Sequence, residues 1–302
     1  MTASVLVLRA LGLGDALTGV AALRGVRRAW PDARLALAAP AAVGELLMAY
    51  GVVDEVLGTA PLEPVPWPAP EPPDVAVNLH GRGPQSHAVL AALGAPRLVA
   101  FACRESGVDG PDWRDDEHEV DRWCRLVAAA GGACGPEDLR LEPPVPRGDL
   151  VVVHPGAASG SRRWPVERWA EVVTRLTAAG ERVAVTGTAQ EARLAAVLAG
   201  AGAEDLSGRL TLTDLARTVA GARLLLSGDT GVAHLATAFG TPSVLLFGPT
   251  PPQRWGPRID PELHTVLWRP RAGDPAGDPH GDEVDVRLAR ITPDDVLAAL
   301  PT

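Results

Sequence analysis

One segment near the start of the chain combines glycines with a carboxylate, directly after an apolar run. Residues 12–15 read Gly-Leu-Gly-Asp and follow the apolar residues 4–9. Glycines let the backbone turn tightly and leave N–H groups open at the start of a helix, which suits an anion or a polar ligand. The carboxylate of Asp15 has two interpretations, as a cap of that helix or as a general base.

This segment departs from a dinucleotide-binding fingerprint in two ways. The third small position of the fingerprint holds Leu17, and the second predicted strand ends in Leu37-Ala38-Ala39 where an acidic residue is expected. Both departures disfavour a nicotinamide cofactor.

A second segment, residues 154–165, places a loop of small residues before two arginines. Gly156 and Ala157 let backbone N–H groups approach a ligand, and Arg162 and Arg163 supply forked donors for phosphate oxygens. The alternative for the arginine pair is ordinary surface charge. His154, at the end of the preceding strand, is more typical of a packing residue.

A third segment, residues 229–234, reads Asp-Thr-Gly-Val-Ala-His between a predicted strand and a predicted helix. Thr230 and Gly231 provide side-chain and backbone donors at the helix N-terminus, which suits phosphate, and His234 lies one turn after Gly231 on the same face. Asp229 belongs to an Asp-Thr-Gly triplet, but an aspartic protease needs a β fold and a second such triplet, and the sequence has neither. Residues 247–250, Phe-Gly-Pro-Thr, form another loop after a strand.

The elements that position these segments alternate along the chain. We predict strands at 4–9, 34–38, 54–57, 74–79, 97–101, 150–154, 182–186, 223–227 and 243–247. We predict helices at 15–30, 41–50, near 86–93, 115–131, 165–179, 190–200, near 212–220, 230–239 and 292–300, and a loop at 269–282. Apolar strands alternating with helices are typical of parallel sheets covered on both faces.

This alternation predicts an α/β protein with two doubly wound, Rossmann-like domains facing each other across a cleft. The Pro-Pro-Val-Pro cluster at 143–146 indicates a boundary, giving an N-terminal domain of residues 1–146 and a C-terminal domain of residues 147–302. Whether the last helix packs back on the N-terminal domain stays open. Residues 61–73, in which seven of thirteen are proline, are interpreted as an extended excursion of the first domain.

Composition excludes several classes of protein. The 28 basic residues are all arginine and are outnumbered by 37 acidic ones, giving a net charge of −9. This charge disfavours nucleic acid as a partner, and the absence of lysine removes Schiff-base chemistry. The three cysteines lack metal-ligand spacing, no segment is long and apolar enough to span a membrane, and the N-terminus is not a signal peptide, so we expect a cytoplasmic protein without a bound metal.

Taken together, the order and spacing of these segments resemble glycosyltransferase family 9, the heptosyltransferase family of the GT-B fold. The resemblance rests on Arg9 with Gly14-Asp15, on His154-Pro155-Gly156 with Arg162-Arg163-Trp164-Pro165, on Asp229-Thr230-Gly231 with His234, and on Phe247-Gly248-Pro249-Thr250. It implies an N-terminal domain that binds the acceptor and a C-terminal domain that binds an ADP-sugar, usually ADP-heptose.

The resemblance also implies roles for single residues. It makes Asp15 the general base, with Gly12, Leu13 and Gly14 forming the loop on the acceptor side. It assigns the donor and its phosphates to a set in the second domain: Gly156, Ala157, Arg162, Arg163, Glu191, Asp229, Thr230, Gly231 and His234. The family usually has lysine in a Lys-Arg or Lys-His pair where this chain has two arginines, which keeps the charge but changes its reach. The match at Glu191 is weak because residues 187–190 depart from the family pattern.

The expected activity is therefore an inverting, metal-independent transfer of a sugar from an ADP-sugar to an acceptor hydroxyl. The ADP-sugar is a co-substrate, and no cofactor is expected. The acceptor is a small molecule, a glycan or a protein, and peripheral contact with a membrane stays open. The alternatives are a sugar-nucleotide epimerase on the same fold and a non-catalytic relative that binds a nucleotide.

Overall fold

The computed structural model describes residues 3–301 and divides the chain into two compact units, Met1–Leu139 (unit 1) and Arg140–Thr302 (unit 2). Each unit contains one parallel β-sheet with helices between its strands. The predicted α/β class with two Rossmann-like halves is confirmed.

Unit 1 is built on a five-stranded sheet in the order β3-β2-β1-β4-β5. Its strands are β1 (Ser4–Leu8), β2 (Arg34–Ala39), β3 (Glu55–Gly58), β4 (Val75–Asn78) and β5 (Arg97–Val99). Its helices are α1 (Leu13–Thr18), α2 (Val20–Ala29), α3 (Ala41–Ala49), α4 (Gln85–Ala91) and α5 (Glu119–Ala128). The central strands are buried on both faces, as their near-continuous apolar sequence requires.

Unit 2 is built on a six-stranded sheet in the order β11-β10-β9-β6-β7-β8. Its strands are β6 (Val151–His154), β7 (Val183–Val185), β8 (Glu204–Asp205), β9 (Leu224–Gly228), β10 (Ser243–Leu246) and β11 (His264–Leu267). Its helices are α6 (Val166–Ala178), α7 (Ala192–Gly200), α8 (Leu212–Ala220), α9 (Gly231–Phe239), α10 (Pro252–Trp255), α11 (Val286–Ala289) and α12 (Pro293–Ala298). Helix α12 packs against α6, and its Val296 is part of the apolar core of this unit.

The strand order of each sheet reverses at one point, and there two neighbouring strands lead their loops in opposite directions. In unit 1 this point lies between β1 and β4, and in unit 2 between β6 and β9. Ligands of open α/β sheets bind outside the carboxyl ends of the strands at such a point. A ligand is therefore expected at the loops after β1, β4, β6 and β9.

Two differences from the predicted elements have a local context in the structure. The single helix predicted at 15–30 is two helices that meet at Gly19, where an added Cβ would lie 2.8 Å from the Arg9 side chain. Helix α5 begins later than predicted because the His118 side chain caps it by accepting from the Val120 N–H. Strands β8 and β11 and the short helices α10 and α11 were not predicted.

The division between the units lies after Leu139, seven residues before the boundary predicted after Pro146. Arg140 already belongs to unit 2, where its guanidinium forms a two-pronged ion pair with Asp260 at 2.8 Å. The N–H of the next residue, Leu141, donates to the carbonyl of Ala238 at 2.8 Å.

The proline-rich residues 61–73 form an extended excursion of unit 1, as predicted, and contain no helix or strand. Val65 is buried, and Trp67 packs against the apolar cluster formed by β1, β2 and β4. This packing fixes the course of the excursion over the unit.

Candidate functional site

The loop after β1 delivers Asp15 to the point where the sheet of unit 1 reverses its order. Gly12 is the N-cap of α1, and Asp15 is the third residue of that helix, in its first turn. Asp15 is thus not the N-cap residue, and a carboxylate in the first turn is favoured by the helix dipole. A Cβ added at Gly12 would lie 3.6 Å from Asp15 Oδ2, so glycine leaves room beside this carboxylate.

Arg9 holds the same loop through its buried side chain and is 1% exposed. Its guanidinium donates to the carbonyls of Asp15 and Leu79, which follow β1 and β4. Its charge is balanced by Glu119 of α5 at 3.2 Å, and it also packs on the Trp123 ring at 4.9 Å. A buried charge with these partners fixes the two loops of unit 1 at which a ligand is expected. Sequence reasoning missed this role because Glu119 lies 110 residues away in the chain.

His80 follows β4 at this edge and was also missed. It is half-buried, and its Nδ1 has no hydrogen-bond partner among the described residues. Burial lowers the pKa of His80 below 6.5, and the nearby charge of Arg9 lowers this pKa further. A neutral imidazole beside the Asp15 loop is a second group that could accept a proton.

In unit 2, the loop after β6 and the start of α9 meet at the corresponding point. Arg162 Nη1 lies 3.4 Å from the carbonyl oxygen of Asp229, and its Nε donates to Ser159 Oγ at 3.3 Å. Arg163 is exposed, and its Nε donates to the carbonyl of Ala157 at 2.8 Å. The structure therefore brings both arginines of the second segment to the loop of small residues, and Arg162 to the third segment as well.

Helix α9 begins at Gly231, with Thr230 as its N-cap in extended conformation. The Thr230 side chain does not cap the helix; its Oγ1 lies 3.1 Å from Ser227 Oγ. Asp229 is 6% exposed, and its N–H donates to the carbonyl of Leu246 at 3.1 Å. The first N–H groups of α9 thus lie at the carboxyl end of β9, with the helix dipole favouring an anion. His234 is half-buried near the Trp255 ring.

Glu191 lies directly against Gly156, although the two follow different strands. A Cβ added at Gly156 would fall 1.9 Å from Glu191 Oε1, so a larger residue there would displace the Glu191 carboxylate. Glu191 Oε2 accepts from the N–H of Thr188 at 2.8 Å and from its hydroxyl at 2.9 Å, which forms a capping box. Despite the atypical residues before it, Glu191 therefore sits at the loop after β6. His154 is buried, and its Nδ1 lies 3.0 Å from Thr186 Oγ1.

Residues 274–285, here called the covering loop, pack over the second and fourth segments. The Ser161 N–H donates to the carbonyl of Gly281 at 2.9 Å, and Ser159 Oγ donates to that of Pro279 at 2.6 Å. Asp274 anchors the loop through a 2.6 Å ion pair with Arg290. Its composition predicts a loop, but nothing in the sequence indicates where the loop packs.

Within residues 3–301, no group of three or more His, Cys, Asp or Glu side chains is arranged to hold a metal ion. The three cysteines are free thiols. None of the helices in the same described part is long and apolar enough to cross a membrane.

Comparison with solved structures shows the same fold at low sequence identity. The glycosyl transferase family 9 protein from Veillonella parvula superposes with a TM-score of 0.79 at 17% identity, covering 98% of this chain and 96% of that one. The E. coli heptosyltransferase WaaC with ADP superposes with a TM-score of 0.74 at 21% identity, covering 98% of each chain. With its two Rossmann-like units, the chain has the GT-B class of fold.

Sequence comparison narrows this class to one family. The model of glycosyltransferase family 9 (heptosyltransferase) matches residues 112–271. Lipopolysaccharide heptosyltransferase 1 of Salmonella typhimurium is 25% identical over 283 residues, which cover 82% of this chain and 89% of that enzyme. For lipopolysaccharide heptosyltransferase 1 of E. coli K12 the identity is 28% over 147 residues, so the chain spans about half of that relative's length, 46%. The chain belongs to glycosyltransferase family 9.

Proposed function

We propose that this chain transfers heptose from ADP-heptose to an acceptor hydroxyl with inversion at the anomeric carbon and without a metal ion. The observation that carries the proposal is that Arg162 lies between the loop after β6 and Asp229, which precedes α9, where the sheet of unit 2 reverses, and that Arg163 contacts the same loop. Guanidinium groups and a helix N-terminus can neutralise a leaving diphosphate without a divalent cation.

In this proposal the donor lies on unit 2. Arg162, Arg163 and the N–H groups at Gly231 bind the diphosphate, and Asp229, Thr230 and His234 surround the sugar. The small side chains of Gly156 and Ala157 let the nucleotide approach the backbone, and Glu191 binds the nucleoside. That WaaC was solved with ADP supports the choice of nucleotide.

The acceptor lies on unit 1, where Gly12, Leu13 and Gly14 form the loop beside it. Asp15 removes the proton of the acceptor hydroxyl, and the hydroxyl oxygen attacks the anomeric carbon of heptose. The bond from that carbon to the diphosphate oxygen breaks, and ADP leaves with the electron pair. One direct displacement inverts the configuration of the sugar.

Two measurements test the proposal. The first compares thermal stabilisation by ADP, UDP, GDP and NAD, since a ligand at 100-fold over its Kd adds ~2.7 kcal/mol to the free energy of unfolding. We expect ADP to stabilise most, whereas selective stabilisation by NAD would contradict the proposal.

The second measurement follows ADP release from ADP-heptose with and without acceptors, in buffer containing EDTA. Release that depends on an acceptor separates a transferase from an epimerase and from a non-catalytic relative, and loss of release in EDTA would refute metal independence.

A further inference from the structure

Unit 1 contains a cavity of about 730 Å³ at the carboxyl ends of β2 and β3. This volume is in the range of small-molecule sites. Strand β2 pairs with β1, whose following loop carries Asp15, and helix α1 packs against α3, whose first residue Ala41 lines the cavity. The cavity therefore opens on the edge of the sheet that presents the proposed base.

The lining of the cavity carries no positive charge. Its nine residues are four prolines, two alanines, one glycine, one threonine and Glu63. Proline rings and methyl groups suit the apolar C–H faces of a sugar ring, and the exposed Glu63 carboxylate accepts hydrogen bonds. A phosphate or carboxylate in this cavity would lie near Glu63 without a counter-charge.

Unit 1 as a whole also carries a net negative charge. Residues 1–139 contain 11 Arg against 18 Asp and Glu, so unit 1 carries −7 of the net −9. The exposed Arg82 and Arg104 follow β4 and β5, which lie on the other side of β1 from the cavity. Such a field slows the approach of anions, including a phosphorylated lipid in an anionic membrane.

The cavity is formed by residues 40–66, which lie outside the family match at 112–271. The family assignment therefore does not define what this cavity binds. We infer that the acceptor of this chain is a sugar-like polyol without anionic groups, held by Glu63 through a hydroxyl or an ammonium group. This inference rests on the proposed placement of the acceptor on unit 1.

The test uses the full chain and matched acceptors that differ in one group. Methyl hexosides are compared with their 6-phosphates and with their 2-amino-2-deoxy forms. Binding is measured by ligand-observed NMR without donor, and transfer by acceptor-dependent ADP release from ADP-heptose. We expect the uncharged or amine-bearing member of each set to bind and react about fivefold better than the phosphate, since two like charges 4 Å apart in water repel by about 1 kcal/mol.

Two variants then test whether Glu63 causes the preference for acceptors without a phosphate. Glu63→Arg should lower the ratio of neutral to phosphorylated acceptor by about fivefold or more. Glu71→Arg, at an exposed position of the same proline-rich segment that does not line the cavity, should leave this ratio unchanged.

Three outcomes would overturn the inference: a wild-type preference for phosphorylated acceptors, a ratio that Glu63→Arg does not change, or binding of no member of the panel. Failure of ADP-heptose to react with any acceptor would refute the proposed function instead. The NMR ratio would still decide the acceptor class in that case.

Discussion

Asp15 and Arg9 have different positions at the loop after β1. Asp15 lies at the edge of the sheet where a ligand is expected, and Arg9 holds the loop in place. Asp15 is half-buried in the first turn of α1, whereas Arg9 is almost fully buried and reaches the carbonyls of both loops at the reversal point. In our proposal Asp15 is the base, and His80, at the same edge, is the alternative to it.

Replacing Asp15 with Asn should lower kcat by ~10²–10⁴-fold, because the amide cannot accept the proton of the acceptor hydroxyl. The Kd for ADP should stay within twofold, since in our proposal ADP binds to the other unit. Turnover is measured as ADP release, and binding by calorimetry. Asp32→Asn, at an exposed position, is the matched control. Unchanged kcat in Asp15→Asn, together with loss of kcat in His80→Gln, would transfer the role to His80.

Replacing Arg162 or Arg163 with Met should weaken the binding of ADP by about 10- to 100-fold, the range for a lost hydrogen bond to a charged group. The binding of adenosine, which has no phosphate, should change little. Calorimetry with both ligands gives the two Kd values. Arg182→Met serves as the control, because Arg182 is exposed and pairs with Asp149 at 2.8 Å. An equal loss for adenosine would mean that the arginines do not contact the diphosphate.

Among the elements, the covering loop and the arginine loop meet without room for a side chain. A Cβ added at Gly160 would lie 1.7 Å from the carbonyl oxygen of Asp282, and one at Gly277 would lie 2.2 Å from that of Pro249. Both neighbours are backbone atoms, so one loop must shift if either glycine is replaced. The geometry of Arg162, two residues after Gly160, therefore depends on the position of the covering loop.

Gly160→Ala should displace the covering loop, lower stability by ~1–3 kcal/mol as overpacking does, and weaken ADP binding. The free energy of unfolding is measured in urea and the Kd of ADP by calorimetry. In Gly200→Ala, at the last residue of α7, the added methyl meets nothing within 4 Å. This control should keep both quantities or gain slightly in stability. Wild-type affinity in Gly160→Ala would show that the two loops are not coupled.

Most elements could be predicted because their sequences carry the signal locally. The helix at the C-terminus is an example: Thr292 and Asp295 form the capping box, and Pro293 is the first helical residue. Strand β8 has two residues, Glu204 and Asp205, and no apolar pattern, so nothing local indicates it. Gly19, where α1 ends and α2 begins, lies against the Arg9 side chain, a contact that no periodicity shows.

The features of the candidate site also differ in whether the local sequence predicts them. Loops that follow strands could be assigned to the ligand edge, because parallel strands end at one edge of a sheet. The contact between Gly156 and Glu191, the burial of Arg9 and the position of the covering loop depend on tertiary packing. They could not be predicted from spacing.

The whole molecule buries several neutral histidines, and its stability should therefore depend on pH. Burial lowers the pKa of His264 to about 4, and Ser243 Oγ lies 2.8 Å from its Nδ1. Burial also lowers the pKa values of His87 and His154 below 6.5. In the unfolded chain these side chains bind protons near pH 6.5, so the stabilisation is complete above that pH.

As the pH falls from 6.5 to 4, His264 alone should reduce the free energy of unfolding by about 1.4 kcal/mol per pH unit. Urea unfolding at several pH values measures this slope. His264→Asn should reduce the slope, and His280→Asn, at an exposed position, should not. A slope that His264→Asn leaves unchanged would mean that His264 is protonated in the folded state.

The family match ends at residue 271, but the apolar interior of unit 2 does not. Leu288, Ile291 and Val296 are 0% exposed, and the carbonyl of Ile291 accepts from the Trp164 indole at 3.1 Å. A recombinant fragment trimmed to residue 271 would present this tryptophan and its aliphatic neighbours to water. For expression work, residues 272–301 should therefore be kept as part of the folded interior of unit 2.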